Sequence, residues 1–183
     1  KQMMPTYINF MKDFYAEHSK ATFVIPAASE KIKTMIIAMI GNHKFPVSVR
    51  LGKMKESLLS SKVSVVTSGT ATLESVTYGA WPVICYKTNF FNYQILSRMI
   101  TVDHIGLPNL MRNKRVFPEL IQKDCNSSSI SGAVSSLLEN HSNYEKYYGE
   151  ILWSMYGIGL RETFEKIFHD DIEQLSDSTI TPF

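Results

Sequence analysis

Val63-Ser64-Val65-Val66-Thr67 runs without a break into Ser68-Gly69-Thr70-Ala71-Thr72-Leu73-Glu74. The first five residues are mostly β-branched and lack polar alternation, which predicts a strand buried on both faces, as in a parallel sheet. The small residues that follow predict a tight turn, and the spacing from Thr70 predicts a helix. In an open parallel sheet, ligands sit beyond the carboxyl ends of the strands. Gly69 has no Cβ, so a ligand can approach the main chain closely. The free N–H groups of the first helical turn and the positive end of its dipole suit a phosphate. Hydroxyls on Ser68, Thr70 and Thr72 can add donors. Glu74 is expected in that first turn, where a carboxylate can accept two ribose hydroxyls. A capped helix with an acid near its positive end accounts for the same residues without any ligand.

Outward from this stretch the chain alternates strands and helices. Further strands are expected at Ala21–Ile25, Val47–Leu51 and Val83–Tyr86. Helices are expected at Ala28–Ile40, Lys53–Leu59, Thr70–Tyr78 and Phe91–Ile100. Pro26, Gly41, Pro46, Gly52, Gly69, Gly79 and Pro82 fall between elements, as punctuation should. The rhythm predicts an α/β fold with a doubly wound parallel sheet, Rossmann-like, with extra C-terminal helices. Residues 1–140 are expected to form the binding domain, 141–175 a helical extension and 176–183 a tail. Lys1–Ser19 reads as an amphipathic helix with Met4, Tyr7, Ile8, Met11, Phe14 and Tyr15 on one side. A doubly wound domain ordinarily opens on a buried strand, so the chain is expected to begin inside a larger protein. Asn126-Ser127-Ser128-Ser129 reads as a cap region for a helix through Asn140. A last helical stretch is expected from Tyr144 to about Asp170, interrupted at Gly157 and Gly159.

Composition narrows the function. The 183 residues are 44% hydrophobic, enough for a sizeable core. A formal net charge of +2 is too small to imply nucleic acid. The two cysteines, Cys85 and Cys125, form no Cys-x-x-Cys pair and read as free thiols of a reducing cytoplasm. No run approaches the ~18 continuous apolar residues of a membrane span, so any membrane contact is expected from the surface. There is no Gly-x-Gly-x-x-Gly after a strand, no P-loop and no Gly-x-Ser-x-Gly elbow. Dinucleotide cofactors, P-loop NTPases and α/β-hydrolases are therefore disfavoured. The absence of an Asp-x-Asp pair suggests no metal-bridged diphosphate. No cofactor is expected.

A second polar signal lies at Leu107-Pro108-Asn109-Leu110 and Val116-Phe117-Pro118-Glu119-Leu120-Ile121-Gln122. Pro108 restrains the backbone before Asn109, and Pro118 sits at an expected helix start. Asn109, Glu119 and Gln122 would then project polar groups suited to sugar hydroxyls or a base edge. Turn chemistry and a helix cap explain them equally well without a ligand.

Four segments occur in order and at a characteristic spacing: Ser68-Gly-Thr-Ala-Thr-Leu-Glu74, Gly79-Ala-Trp-Pro-Val-Ile-Cys-Tyr-Lys87, Leu107-Pro-Asn109 and Pro118-Glu-Leu-Ile-Gln122. Together they resemble the C-terminal domain of lipid-A-disaccharide synthases, from about Lys1 to about Glu139. A Ser-Gly-x-x-Thr-x-x-Glu turn alone is shared by many GT-B transferases; the later two segments make the match specific. The resemblance implies two doubly wound domains around a cleft, this chain corresponding to the C-terminal, donor-holding one. It implies a UDP-linked diacylated glucosamine donor, a diacylated glucosamine 1-phosphate acceptor and an inverting β-1,6 transfer that releases UDP without metal. Carried over residue by residue, Ser68, Gly69, Thr70 and Thr72 would meet the diphosphate and Glu74 the ribose. Asn109, Glu119 and Gln122 would line the donor site, with Tyr86 and Lys87 at the end of the next strand facing the same crevice. Lys87 would offset charge on the leaving diphosphate.

The family's Gly-Ser-Arg turn ahead of the opening helix is absent here. So is its N-terminal domain, expected to carry the acceptor pocket and the catalytic base. The fragment is therefore expected to bind donor without completing transfer. The resemblance places it in the cytoplasm, peripheral to the inner face of the inner membrane.

Other readings stay open at the level of sequence. Another UDP-sugar GT-B transferase or an epimerase fits the main motif, as does a non-catalytic interaction module. Asp103-His104 is a poor acid/base pair, because neighbours on a strand point to opposite faces. Arg112, Lys114 and Arg115 suit a phosphate or anionic head groups, or a solvated loop. Phe90, Phe91 and Tyr93 suit either acyl chains or the core. Tyr147, Tyr148, Ile151, Leu152, Trp153 and Tyr156 are a heavy apolar load, expected to be covered by the other domain or by a second copy in a homodimer.

Overall fold

A computed structural model describes residues 2–67, 69–87, 104–145, 148–149 and 152. The expected helix at Phe91–Ile100, the aromatics Phe90, Phe91 and Tyr93, Asp103, Ser68, most of the last helical stretch and the tail lie outside the described residues.

Helix α1 spans Met4–Glu17 and buries Ile8, Phe10, Met11 and Phe14, one stripe at helical spacing. Strand β1 is Phe23–Ala27, and helix α2, Glu30–Ile40, follows it. Ser29 caps α2 by accepting the Ile32 N–H at 3.3 Å, and Gly41 ends it at a φ of 57° that suits glycine. Strand β2 is Val47–Leu51 and helix α3 is Met54–Leu59. Strand β3, Val63–Thr67, leads into helix α4, Thr70–Thr77, and strand β4, Trp81–Tyr86. Helix α5 is Leu107–Arg112, strand β5 is Glu119–Ile121, and a 3-10 turn covers Gln122–Asp124. Helix α6, Ser127–Glu139, is capped by Asn126, whose Oδ1 accepts the Ser129 N–H at 3.0 Å.

All paired strands are parallel. β1 pairs with β2, while β3, β4 and β5 form a separate three-stranded sheet in that order. β4 is the most deeply buried strand, with Val83, Ile84 and Cys85 at 0% exposure. That follows from its central place and its uninterrupted apolar run. The fold is α/β with a Rossmann-like parallel arrangement, as the alternation predicts.

Three proline readings differ in the structure: Pro26 and Pro82 lie inside β1 and β4 rather than between elements. Pro118 starts no helix: its carbonyl accepts the Ile84 N–H at 2.8 Å and opens β5. A proline is tolerated at the start of a strand, where its missing N–H is not needed. Leu107-Pro108-Asn109 is the first turn of a helix, where Pro108 sits without losing an intrahelical bond.

Tyr144, Tyr148 and Leu152 pack against this domain's own core. Trp81 stacks on Phe117 at 6.1 Å, and Phe117 on Tyr144 at 5.6 Å. The Tyr148 ring meets Trp81 edge-on at 5.9 Å, and its hydroxyl donates to the Thr77 carbonyl. Tyr148 and Leu152 are thus partly covered by this domain's own core. Tyr147, Ile151, Trp153 and Tyr156 lie outside the described residues. Cys85 and Cys125 are both free and buried, and burial raises both thiols above their ordinary range.

Candidate functional site

Three parallel strands end side by side. The register Thr67↔Cys85 and Tyr86↔Ile121 sets Gly69, Lys87 and Gln122 just beyond the carboxyl ends of β3, β4 and β5. Ligands of open parallel sheets bind at this edge.

Gly69 makes the turn there, with φ 130° and ψ −160°, a region essentially reserved for glycine. It is the N-cap of α4 and offers no side-chain cap. Of the first N–H groups of the helix, that of Thr72 donates to the Gly69 carbonyl at 3.1 Å; those of Thr70 and Ala71 precede any intrahelical acceptor and are left for a ligand or water. The hydroxyls of α4 divide into two kinds. Thr72 is buried and donates to the Gly69 carbonyl at 2.7 Å. Ser75 and Thr77 likewise donate to Ala71 and Leu73 carbonyls, at 2.7 and 2.9 Å. These protons are committed to the backbone. Thr72 therefore holds the turn in shape, where the sequence suggested a phosphate donor. Thr70 is exposed, and among the described residues nothing engages its hydroxyl. Ser68 lies outside the described residues.

Glu74 is the fifth residue of α4, just past the first turn in which it was expected. Thr70 and Glu74 are four apart and share one face, with Cβ atoms tilted toward the amino end. Among the described residues no side chain or N–H pairs with the Glu74 carboxylate. Partial burial raises its pKa above the ordinary glutamate value, with no other cause contributing. A half-buried acid without a partner is costly for the free chain, and such groups cluster at functional sites.

Tyr86 is half-buried and Lys87 exposed at the end of β4. Gln122 follows β5 in the left-handed region, at φ 52°. Non-glycine residues seldom adopt that conformation without a local reason.

Asn109 and Glu119 are placed differently from the rest. Asn109 is 0% exposed and Glu119 5%. The Asn109 amide donates to the Phe117 carbonyl and to Glu119 Oε1, both at 2.8 Å. Its Oδ1 accepts the N–H groups of Val116 at 2.8 Å and Phe117 at 2.9 Å. Both donors and both lone-pair sites are thereby used. The Glu119 carboxylate also accepts from Ile105 N at 3.1 Å and Gly106 N at 2.9 Å. Arg115 donates to the Glu119 carbonyl. This network ties the segment that enters α5 to β5, so that both residues act as internal braces. The spacing found the residues; it could not distinguish a brace from a ligand contact, since both need a polar group on restrained backbone.

Gly106 completes the brace by having no side chain. A Cβ there would lie 2.2 Å from Ile84 Cδ1 and 3.1 Å from Glu119 Oε1. Ile84 is fully buried and has nowhere to go. Gly106→Ala is expected to destabilise the fold by ~1–3 kcal/mol through overpacking, read as a lower midpoint in urea with an unchanged slope.

Among the described residues no group of three or more His, Cys, Asp or Glu side chains is placed to hold a metal ion. Within the same residues, no helix is long and apolar enough to cross a membrane.

Comparison with known proteins adds the family. The model of the lipid-A-disaccharide synthetase family matches residues 1–152. A lipid-A-disaccharide synthase from Hahella chejuensis is 32% identical over 132 residues, covering 71% of this chain and 33% of the relative. One from Pseudomonas aeruginosa is 29% identical over 146 residues, covering 79% and 39%. A third, from Alteromonas mediterranea, is 27% identical over 146 residues, covering 77% and 38%. The chain thus spans between a third and two fifths of the length of these curated relatives. With its motifs, its parallel fold and a family match over most of its length, this chain belongs to the lipid-A-disaccharide synthetase family.

Proposed function

We propose that residues 1–140 bind the UDP-linked sugar donor of a lipid A glycosyltransferase. The observation that carries this reading is Glu74, a partly buried carboxylate one turn above a glycine-only bend, without a partner among the described residues. A ribose with two adjacent hydroxyls supplies the donors that this carboxylate lacks. The diphosphate lies against the N–H groups that open α4, with Thr70 and Ser68 adding hydroxyls and Gly69 allowing close approach. Lys87, exposed beside the same edge, offsets charge on the departing UDP. Tyr86 and Gln122 border the donor, while Thr72, Asn109 and Glu119 hold the surrounding backbone.

The reaction is attack of the acceptor's 6-hydroxyl oxygen on the donor's anomeric carbon. The bond from that carbon to UDP breaks, a base takes the hydroxyl proton, and a β-1,6 disaccharide forms. The chain matches between a third and two fifths of the length of its relatives, and in this reading the base and the acceptor pocket lie in the part of the family's fold that it does not match. The chain alone binds donor and does not turn over. Both substrates are acylated, which favours work at a membrane surface, with the exposed Lys114 toward anionic head groups.

Calorimetric titration with UDP tests the donor site. Wild-type chain is expected to bind weakly, and Glu74→Ala to lose ~1–3 kcal/mol, or about 5- to 150-fold. Absence of UDP binding by the folded wild type would sink the reading. A preference for UDP-N-acetylglucosamine over the diacylated donor would point to a different UDP-sugar transferase.

Stability should move the other way. Burial raises the folded-state pKa of Glu74, so its stabilising contribution is present below the ordinary glutamate pKa and fades as pH rises through the raised value. At pH 7 the folded chain carries a poorly solvated charge. Glu74→Gln is therefore expected to match or exceed the wild-type melting temperature at pH 7 and to lose that advantage near pH 4. UDP affinity should fall in the same variant.

A further inference from the structure

Cys85 and Cys125 lie far apart in sequence, yet the fold brings their thiols together. Cys85 sits near the carboxyl end of β4, opposite Thr67 of β3 and Leu120 of β5. Cys125 follows the 3-10 turn after β5. Its N–H donates to the Gln122 carbonyl at 3.1 Å, and the next residue, Asn126, caps α6. α6 packs on β3 and β4, so its start returns over the central strand. Both cysteines are 0% exposed and belong to one core cluster, and their side chains hydrogen-bond to each other. Helix α1 closes the same corner: the Tyr7 hydroxyl lies 3.3 Å from Thr67 Oγ1, and Thr67 is the register neighbour of Cys85.

The two sulfurs are not equivalent. Cys85 donates its S–H and Cys125 accepts it, along with the Tyr86 N–H, and the Lys87 ammonium lies close enough to act on the same sulfur. All three favour the Cys125 thiolate, although burial outweighs them. Burial raises Cys85 far more, and its contact with Cys125 adds to the rise. Cys125 is therefore the sulfur that ionises first, and Cys85 the one that stays protonated beside it. An isolated buried cysteine is inert. A contacting pair differs, because a sulfur that becomes oxidised meets its resolving partner at once.

We propose that Cys85 and Cys125 form a dithiol site that a small hydroperoxide converts to an intramolecular disulfide, stapling β4 to the turn ahead of α6. The Cys125 thiolate attacks the terminal peroxide oxygen. The O–O bond breaks, Cys125 becomes a sulfenic acid, and the departing oxyanion takes a proton to leave as an alcohol, or as water from hydrogen peroxide. Cys85 then attacks the Cys125 sulfur. The S–S bond forms, the S–O bond breaks, and hydroxide leaves with the Cys85 proton as water. Two thiols and one hydroperoxide thus give one disulfide, one alcohol and one water, with two electrons passing from sulfur to the peroxide. Sulfurs already in contact need only approach to the ~2.05 Å of the new bond. Entry is from the Gln122–Asp124 turn, where Lys123 and Asp124 are exposed beside Cys125, by local opening of that turn. The staple restricts the unfolded chain between residues 85 and 125, so the oxidised form is the more stable. The proposal does not depend on the donor reading.

The test is hydrogen peroxide on the full chain, followed by alkylation and peptide mapping without reductant. Both thiols are expected to disappear together into one Cys85–Cys125 cross-linked peptide from monomeric chain, and dithiothreitol should restore both. The oxidised chain should melt several degrees above the same sample after dithiothreitol, a comparison that holds methionine oxidation constant. In Cys85→Ser, Cys125 should stop at a sulfenic acid that dimedone captures. In Cys125→Ser, Cys85 should react at least about tenfold more slowly than the pair, having lost the sulfur that ionises first. Thiols that survive in the folded chain under peroxide that oxidises them in urea would overturn the proposal. So would separate oxidation to sulfinic acids, cross-links only between chains, or a disulfide that lowers the melting temperature.

Discussion

Asn109→Asp is expected to destabilise the chain by ~3–5 kcal/mol at neutral pH, the range for breaking a buried polar network. Part of that loss should return below about pH 5. The substitution keeps the shape of the side chain but replaces an amide that donates two bonds with a group that donates none when ionised. One lost bond ran to Glu119 Oε1 at 2.8 Å. A second carboxylate now occupies that contact, and two such groups cannot both ionise in a buried site. The pair must hold a proton in the folded state, so its folded pKa rises above the unfolded carboxylate values near ~4. The sign follows: the stabilising contribution is present at low pH and disappears as pH climbs through the raised value. Asn109→Leu removes the same amide without adding charge and strands the N–H groups of Val116 and Phe117. Its loss should be similar at neutral pH but flat with pH. Urea unfolding at pH 4.5 and pH 7.5 separates the two. Identical losses for both variants at both pH values would mean that the contact with Glu119 does not hold this segment.

What the sequence disclosed follows from the range of each signal. β2, β3 and most of α2, α3 and α4 were legible because a buried parallel strand and an amphipathic helix each repeat one pattern for five residues or more. β5 was not, because three residues beginning with Glu119 carry no pattern, and only pairing with β4 makes them a strand. The same limit applies at the site. Gly69 and Glu74 could be named from local spacing. That Thr72 spends its hydroxyl on Gly69, and that the Asn109 amide and the Glu119 carboxylate are spent on each other and on loop backbone, is a matter of three-dimensional partners. Polar residues on restrained backbone look alike in sequence whether they face a ligand or hold a loop. The paired accounting of donors and acceptors tells them apart, leaving Thr70 and Glu74 as side chains of the bend with capacity to spare.

That distinction fixes what Gly69→Ala should do. A Cβ at Gly69 meets no atom within 4 Å, so crowding is not the issue. The cost is conformational: at φ 130° an alanine is strained, by ~1–3 kcal/mol, or the turn rearranges to escape. If it rearranges, the carbonyl that Thr72 engages moves, and the N–H groups opening α4 are re-aimed. Either outcome lowers stability, and the second also removes the phosphate cradle. The expected result is a fall in melting temperature of several degrees together with at least a tenfold loss of UDP affinity. Thr70→Ala is the contrasting variant. Its side chain is exposed and holds nothing within the described chain, so its melting temperature should be unchanged. Its UDP affinity should fall about tenfold, the worth of one or two hydrogen bonds to a charged group. The pair separates the bend as architecture from the bend as binding surface. Should Gly69→Ala lose stability while both variants keep full UDP affinity, the turn shapes the fold alone and the nucleotide must bind elsewhere.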